Sequence, residues 1–453
     1  MAIVCFTSHF EEIFERQMLA KLLSKFQCAE YHYSTLKFLQ NLAKVALKTT
    51  RYQVWDVKCL KEGQKTFLKS LDTKGSISIC KERKTAVDIM VEGSRVLQIE
   101  KMLRDRNILF EVTSTDVVRP RSPMGSITSR QSKSPQKRTF DWKDYYPLHM
   151  VYNFMDNLEA QFPSTCTVSS IGRSIEGREI KMLKISNSDA SNTGVWLDAT
   201  IHAREWISTS VITYIADHIA RNFNNLPKSI TNKDWFFVPV VNPDGYYHSH
   251  TQDRMWRKSR ARVDNTIVGV DLNRNFGYNW GRCGPECSSG DPYHQNFRGV
   301  EPFSEPESAA VKDLILYSST PFKIFLTFHA YSEVISFPWC FTSEPCADYV
   351  RLLEGGTAMA KAIFETNGRM YKVGNFKDLM YVAAGTSIDW SYGTAHIPFS
   401  YLVELRSKEH KFLLPKEEIM DCCHEILNGV KALADYVDQK KCLNCTMFSK
   451  KSS

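Results

Sequence analysis

The stretch that most constrains this chain is Gly194–Ser208, GVWLDATIHAREWIS. Val195–Ala199 is an apolar run broken only by Asp198, which reads as a buried strand. A helical pattern, Trp206–Asn222, follows almost at once. His202 and Glu205 stand on the turn between them. An imidazole and a carboxylate three residues apart, where the chain leaves a strand, can converge on one point, and both are ligand types that Zn2+ accepts. Two ligands do not hold a catalytic ion, so the pattern requires a third elsewhere.

The chain on either side repeats the alternation. Strand-like runs at Arg178–Ile185, Asp234–Val240, Phe322–Phe328 and Phe399–Leu405 are interleaved with helical patterns near Glu305–Tyr317, Tyr349–Asn367 and Lys416–Gln439. This predicts an α/β fold with a mixed central sheet and helices on both faces, mixed where a connection is too short to carry a helix. Ligand clefts in such sheets form at strand ends. His329 follows the strand Phe322–Phe328, and Glu404 sits near the end of Phe399–Leu405. A carboxylate in so apolar a run needs a partner. A salt bridge to Arg406 would supply one; convergence of His202, Glu205, His329 and Glu404 at the strand ends is the sharper expectation. A further polar group, Asp271, Asn273 and Arg274, follows a short apolar strand in GVDLNRNF. The guanidinium of Arg274 suits a carboxylate, which it binds bidentately.

Length calls for two folded units plus connections: 453 residues exceed one small core. Residues 1–51 are a helix-prone segment of unclear role. Residues 52–118 offer four strand-like runs (Tyr52–Val57, Ser76–Ile79, Thr85–Val91, Ile108–Val112) and a helical pattern at Arg95–Asp105, enough for a small α+β unit. Residues 119–138, RPRSPMGSITSRQSKSPQKR, carry six basic residues and no acid, a linker open to trypsin-like proteases. Residues 139–440 hold the alternating pattern, and 441–453 form a polar tail. The net charge of +8 is uneven: residues 1–138 carry 25 Lys and Arg against 14 Asp and Glu, a net +11, leaving −3 over Thr139–Ser453. The larger part is mildly acidic, so a nucleic-acid partner is rejected. No run of 18 apolar residues exists, so no membrane span is expected. Met1–Lys25 lacks the apolar core of a signal peptide, being interrupted by Glu11, Glu12, Glu15 and Arg16. Among 13 cysteines, the pairs Cys283/Cys287, Cys340/Cys346 and Cys442/Cys445 are close enough for short disulfide loops, which suit an oxidising compartment.

Seven motifs occur in one order: His202-Ala-Arg-Glu205-Trp206, Val241-Asn-Pro-Asp-Gly245, Arg254-Met-Trp-Arg257-Lys, Gly269-Val-Asp-Leu-Asn273-Arg274-Asn, His329-Ala-Tyr331, Ser387-Ile-Asp389-Trp390-Ser-Tyr392 and Glu404-Leu-Arg406. Together they resemble the zinc metallocarboxypeptidases of the digestive A/B type, over roughly Thr139 to Val437. Residues 52–138 resemble that family's inhibitory prodomain and cleaved connector.

The resemblance implies that His202, Glu205 and His329 hold one Zn2+ and leave a position for water. Glu404 would act as the base and Arg257 would hold the oxyanion. Asn273, Arg274 and Tyr381 would clasp the substrate's terminal carboxylate. Arg204 and Tyr331 would contact residues upstream of the cut, and Asp271 would orient His202. Ala330 stands where the family usually has serine, and the loop between Asp389 and Glu404 carries one extra residue. Ile388 lies at the pocket floor, where B-type members carry an acid, with Phe376, Met380, Cys340 and Thr386 at other pocket positions. Aliphatic or aromatic C-terminal residues are therefore expected to be removed. The implied product is a secreted, monomeric precursor activated by a trypsin-like protease and acting on peptides with a free C-terminus. The alternatives are a catalytically impaired peptide-binding relative and another zinc amidohydrolase.

Overall fold

A computed structural model describes residues 52–59, 61–73, 76–82, 85–114, 140–263 and 266–449. The helix-prone segment 1–50 and the basic linker 119–138 lie outside the described residues.

The first unit is a four-stranded antiparallel sheet with two helices. In chain order it comprises β1 (Tyr52–Lys58), α1 (Glu62–Thr73), β2 (Ser78–Glu82), β3 (Ala86–Glu92), α2 (Val96–Arg104) and β4 (Phe110–Ser114), with strand order β2-β3-β1-β4. Val96, Ile99 and Leu103 recur at helical spacing along α2 and are all buried. They join Trp55, Val57, Leu68, Leu71 and Ile89 in a core of the unit's own, where Trp55 stacks on Phe110 at 4.6 Å between ring centroids. α1 has no counterpart among the sequence-predicted elements. Only Phe67, Leu68 and Leu71 interrupt its polar sequence, too few for a clear periodicity.

The second unit is built on an eight-stranded sheet. Its elements are α3 (Leu148–Gln161), β5 (Cys166–Arg173), β6 (Glu179–Ile185), β7 (Thr193–Ala199), α4 (Trp206–Asn222), β8 (Lys233–Val238), α5 (Pro243–Thr251), the two-residue strands β9 (Arg262–Val263) and β10 (Thr266–Ile267), α6 (Pro306–Tyr317), β11 (Phe322–Ala330), β12 (Val334–Phe337), α7 (Tyr349–Asn367), β13 (Lys372–Asn375), α8 (Ser387–Gly393), β14 (Phe399–Leu405) and α9 (Ile419–Ser449). The order across the sheet is β13-β12-β14-β11-β7-β8-β6-β5. The four central strands β14, β11, β7 and β8 run parallel, while the antiparallel pairings β12–β14, β6–β8 and β5–β6 lie toward the edges.

Parallel strands are buried on both faces and read as continuous apolar runs; all seven residues of β7 and of β14 are buried. Side chains still alternate between two layers. Val195, Leu197, Ile324, Leu326, Tyr401 and Val403 pack with α3, α4, α7 and α9 on one face. Trp196, Phe325 and Leu402 pack with α6 and α8 on the other. The expected mixed sheet with helices on both faces is what forms.

Cys283 and Cys287 form a disulfide. The expected pairing of Cys340 with Cys346 does not occur, and both are buried free thiols. Cys340 belongs to the layer holding Ile388 and Cys346 to the layer on the opposite face, so nearness in sequence does not bring the sulfurs together. The side chains of Cys442 and Cys445 lie outside the described residues.

Candidate metal centre and cleft

The site forms where the central parallel strands end. β11 pairs with β14 so that His329 lies beside Glu404, and with β7 so that Thr327 lies beside Asp198. All four project from the face that carries Phe325 and Leu402. His202 and Glu205 occupy the turn between β7 and α4. That turn is fixed by neighbouring segments: Ala203 N–H donates to Arg257 O at 3.0 Å, and Asn242 Nδ2 donates to Ile201 O and Lys258 O at 3.2 and 3.0 Å. Asn242 also caps α5 through Gly245 N–H, so the Asn-Pro-Asp-Gly motif staples the turn to the Arg257 segment.

His202, Glu205 and His329 are the one His/Cys/Asp/Glu trio among the described residues whose ligand atoms converge, all within 4.8 Å of one another. His202 Nδ1 lies 2.9 Å from Glu205 Oε1, His329 Nδ1 lies 3.0 Å from Glu205 Oε2, and the two Nδ1 atoms are 3.1 Å apart. The opposite ring nitrogens define the protonation. His202 Nε2 faces Asp271 Oδ1 at 3.1 Å, and Asp271 is held well below the usual carboxylate range, with Arg257, Arg274 and His202 overcoming the effect of burial. Such a carboxylate only accepts, so Nε2 carries the hydrogen and Nδ1 presents a lone pair. Burial and the Arg257 charge lower the His202 pKa, favouring the neutral ring. Lone pairs and a carboxylate facing one another at about 3 Å in a buried pocket repel unless a cation lies between them. The N, N, O donor set fits Zn2+ with a fourth position open.

Glu404 lies beside this trio. Its Oε2 is buried without a hydrogen-bond partner, and burial together with the Glu205 charge raises its pKa well above the carboxylate norm despite Arg257. Arg406 does not pair with it; that guanidinium binds Glu425 and Glu418 instead. Arg257 holds Asp271 Oδ2 through Nη2 at 2.8 Å and lies 3.8 Å from Glu205 Oε1.

Asn273 and Arg274 are buried on the other side of Asp271. Asn273 N–H donates to Asp271 Oδ1 at 3.1 Å, and its own Oδ1 accepts from Ser387 N–H at 2.9 Å. Arg274 is fixed by Cys287 O and Asn273 O, each at 2.8 Å. Its Cζ stands 5.8 Å from the ring of Tyr381, which is 45% exposed. Behind these residues Ile388, Cys340, Phe376, Met380 and Ala383 form one apolar wall. Thr386 Oγ1 donates to Cys340 Sγ at 3.4 Å. The carboxyl of Asp389 adjoins this wall, but both its oxygens accept Cys340 N–H, at 3.0 and 3.1 Å, and burial pushes its pKa up to about 7.

At the outer rim Arg204 packs its guanidinium on Phe412 at 4.0 Å, and Tyr331 meets the same ring edge-on at 4.9 Å. The first unit covers this rim. A cavity of about 410 Å3 lies between Asp72, Ile77, Met90 and Glu92 on one side and Arg204, Arg257, Tyr331 and Phe412 on the other. The Tyr52 hydroxyl donates to Asp253 Oδ1 across the boundary.

Of the residues singled out from sequence, His202, Glu205 and His329 converge, Asp271 and Arg257 adjoin them, and Arg204, Arg257 and Tyr331 line the cavity beneath the first unit. Sequence reading missed two parts of the site: the contacts of Tyr52 and Asp72, and the pair Asp198 and Thr327 behind His329. Asp198 did leave a signal, as the one charge in an apolar strand.

Comparison with known proteins bears on the same region. Residues 151–429 match the family described as zinc carboxypeptidase. The chain is 35% identical over 300 residues to carboxypeptidase B of Astacus astacus, covering 66% of this chain and 98% of that protein. It is 30% identical over 356 residues to carboxypeptidase A1 of Rattus norvegicus, covering 77% and 84%. A crystal structure of thrombin activatable fibrinolysis inhibitor superposes with a TM-score of 0.71 at 27% identity, covering 85% of this chain and 99% of that one. The match takes in more than half of the sequence and contains the converging trio, and the chain belongs to the zinc carboxypeptidase family.

Proposed function

We propose that the chain is the precursor of an exopeptidase that removes aliphatic or aromatic residues from peptide C-termini. The observation that carries this reading is the wall around Ile388, apolar and buried except for the half-buried Met380, where a cationic side chain would need a charged partner. An unpaired buried charge costs about 3–5 kcal/mol, which disfavours Lys and Arg there. Asp389 is a weak counter-charge, since its oxygens are engaged and its burial favours the neutral form.

His202, Glu205 and His329 would hold the zinc ion, which when bound supplies a Lewis acid that polarises a carbonyl and brings a water's pKa down to about 7. Glu404, with a carboxylate oxygen unclaimed by any donor, takes the proton of the attacking water and passes it to the leaving amine. Arg257, anchored on Asp271, donates to the developing oxyanion. Arg274, Asn273 and Tyr381 bind the terminal carboxylate, which limits cleavage to the last peptide bond. Arg204 and Tyr331 line the path of the upstream residues.

Residues 52–118 act as the inhibitory segment and 119–138 as the connector cut on activation. The support is the placement of Asp72 and Glu92 over Arg204 and Arg257, where a peptide would otherwise run. Secretion follows from the same reading.

The test is to treat the full chain with trypsin and offer blocked dipeptides ending in Phe, Leu, Arg or Glu, with and without a zinc chelator. Cleavage of Phe or Leu substrates that appears after trypsin and disappears with chelator is expected. Preference for Arg would overturn the specificity, and full activity before trypsin would overturn the precursor.

A further inference from the structure

We propose that Asp198 and Thr327 form a two-step relay that orients His329, the counterpart of the direct Asp271 contact on His202, and that this relay helps set how tightly the chain holds zinc. The inference rests on His329 being a zinc ligand, and the closing experiment separates the two.

The relay is built into the sheet. Thr327 and Asp198 are register partners on β11 and β7, so they sit side by side on one face. Thr327 and His329 are two residues apart on one strand and therefore share that face. Thr327 Oγ1 donates to Asp198 Oδ1 at 2.6 Å, and the other carboxylate oxygen accepts from Trp196 Nε1 at 2.7 Å. Thr327 Oγ1 also lies 3.3 Å from His329 Nε2. All four residues are buried, with exposures of 2% or less.

Proton counting gives this geometry a direction. Both oxygens of Asp198 accept, Oδ1 from the Thr327 hydroxyl and Oδ2 from Trp196 Nε1–H, so the carboxyl acts as an acceptor on both sides. The hydroxyl proton of Thr327 is therefore committed to Asp198. Its oxygen can then only accept from the ring, which places the hydrogen of His329 on Nε2. Nδ1, the atom facing Glu205, is left with a bare lone pair. His202 reaches the same state through Asp271. Both imidazoles are thus held in one tautomer and one orientation by a carboxylate, one directly and one through a hydroxyl. Without the hydroxyl, His329 Nε2–H and Asp198 Oδ1 would both be left unpaired, and the ring would be free to flip or to move its hydrogen to Nδ1, which then could not bind metal.

Groups that hold a metal-binding imidazole this way are worth 10–100-fold in metal affinity. The experiment uses the full chain stripped of metal. It measures zinc affinity by competition with a chromophoric chelator, and the melting temperature of each metal-free variant. Thr327→Val keeps the shape and removes the hydroxyl; Thr327→Ser keeps the hydroxyl and removes the methyl. The expected result is roughly 10–100-fold weaker zinc binding for Thr327→Val and Asp198→Asn, with Thr327→Ser close to the unaltered chain. A purely structural role would move the melting temperature and leave the Val/Ser contrast in zinc affinity absent. Zinc binding at full strength in Thr327→Val, or equal weakening in Thr327→Ser, overturns the relay. If Thr327→Val does not fold, Asp198→Asn decides, and unchanged zinc affinity there overturns it too. His329→Gln separates the layers of the argument. If zinc is lost with His329→Gln but not with Thr327→Val, only the relay is wrong; if His329→Gln binds zinc normally, the ligand set itself is wrong and the relay falls with it.

Discussion

The two units of this chain bury different things. Among the described residues the small one closes an apolar core of its own, with Trp55, Ile89, Ile99 and Leu103 at its centre and no residue from its neighbour. The large one buries ionisable groups: His202, Glu205, Asp271, Arg274 and Glu404 are all at most 7% exposed, in a cleft whose flanking layers are apolar. The contrast concerns separability. A unit with its own core can leave the cleft without exposing that core, whereas His202, Glu205 and Asp271 are held by partners from distant segments. The small unit is suited to be a removable cover, and the converging metal trio belongs to the large one.

The sharpest way to break that division is at Glu404. Glu404→Gln keeps shape and removes the proposed base, so turnover should fall by about 10²–10⁴-fold while bound zinc per chain is unchanged. Turnover close to that of the unaltered protein would place the base elsewhere. Ile388→Asp probes the neighbouring wall. The unaltered protein should favour a terminal Leu or Phe over Arg by at least a hundredfold, in line with a cost of about 3–5 kcal/mol for an unpaired buried charge. The variant should reverse that order, read as the ratio of kcat/KM for the two dipeptides. If the ratio does not move, Ile388 belongs to the core and not to the pocket. On the other side of the comparison, Ile99→Ala removes a fully buried side chain from the small core and should cost about 2–5 kcal/mol. That is enough to loosen a unit of this size, so the uncut variant should cleave blocked dipeptides that the uncut parent does not. A variant that stays silent until trypsin is added would mean that the cover is held by more than its own fold.

Sequence carried the local part of this site and not the lateral part. His202 and Glu205 were legible because strand, turn and helix follow one another, and α4 spans the residues its periodicity indicates, Trp206–Asn222. His329 and Glu404 were legible one at a time, as polar residues near the ends of apolar strands. Their pairing in register is a property of the folded sheet, as is that of Thr327 with Asp198, and no spacing along the chain encodes it. The same blindness explains Cys340 and Cys346, near in sequence and on opposite faces. β5, with only Cys166 fully buried, shows why edge strands escape notice: half-exposed, it lacks the apolar run of β7 or β14. Where seven motifs align with a known family, resemblance supplied roles that periodicity could not, for Tyr381 above all.

The smallest predicted effect tests the boundary itself. Tyr52 is a described residue of the small unit whose side chain reaches a partner across it, donating to Asp253. Asp253 Oδ1 is also bound by Met255 N–H at 2.8 Å, within the segment that leads to Arg257, so the contact ties the cover to the loop that positions a residue of the cleft. Tyr52→Phe keeps the ring, which is buried at 6% exposure, and removes only the hydroxyl. A hydrogen bond to a charged group contributes about 1.5–3 kcal/mol, less where solvent reaches the partner, so the loss should be near the lower end. The uncut variant should show a modest rise in dipeptide hydrolysis over the uncut parent, with no change in either protein after trypsin. An equal rise before and after the cut would mean that Tyr52 acts on the Arg257 loop and not on the seating of the cover. No rise at all would leave closure to the Asp72 and Glu92 side of the cavity, where charge faces Arg204 and Arg257.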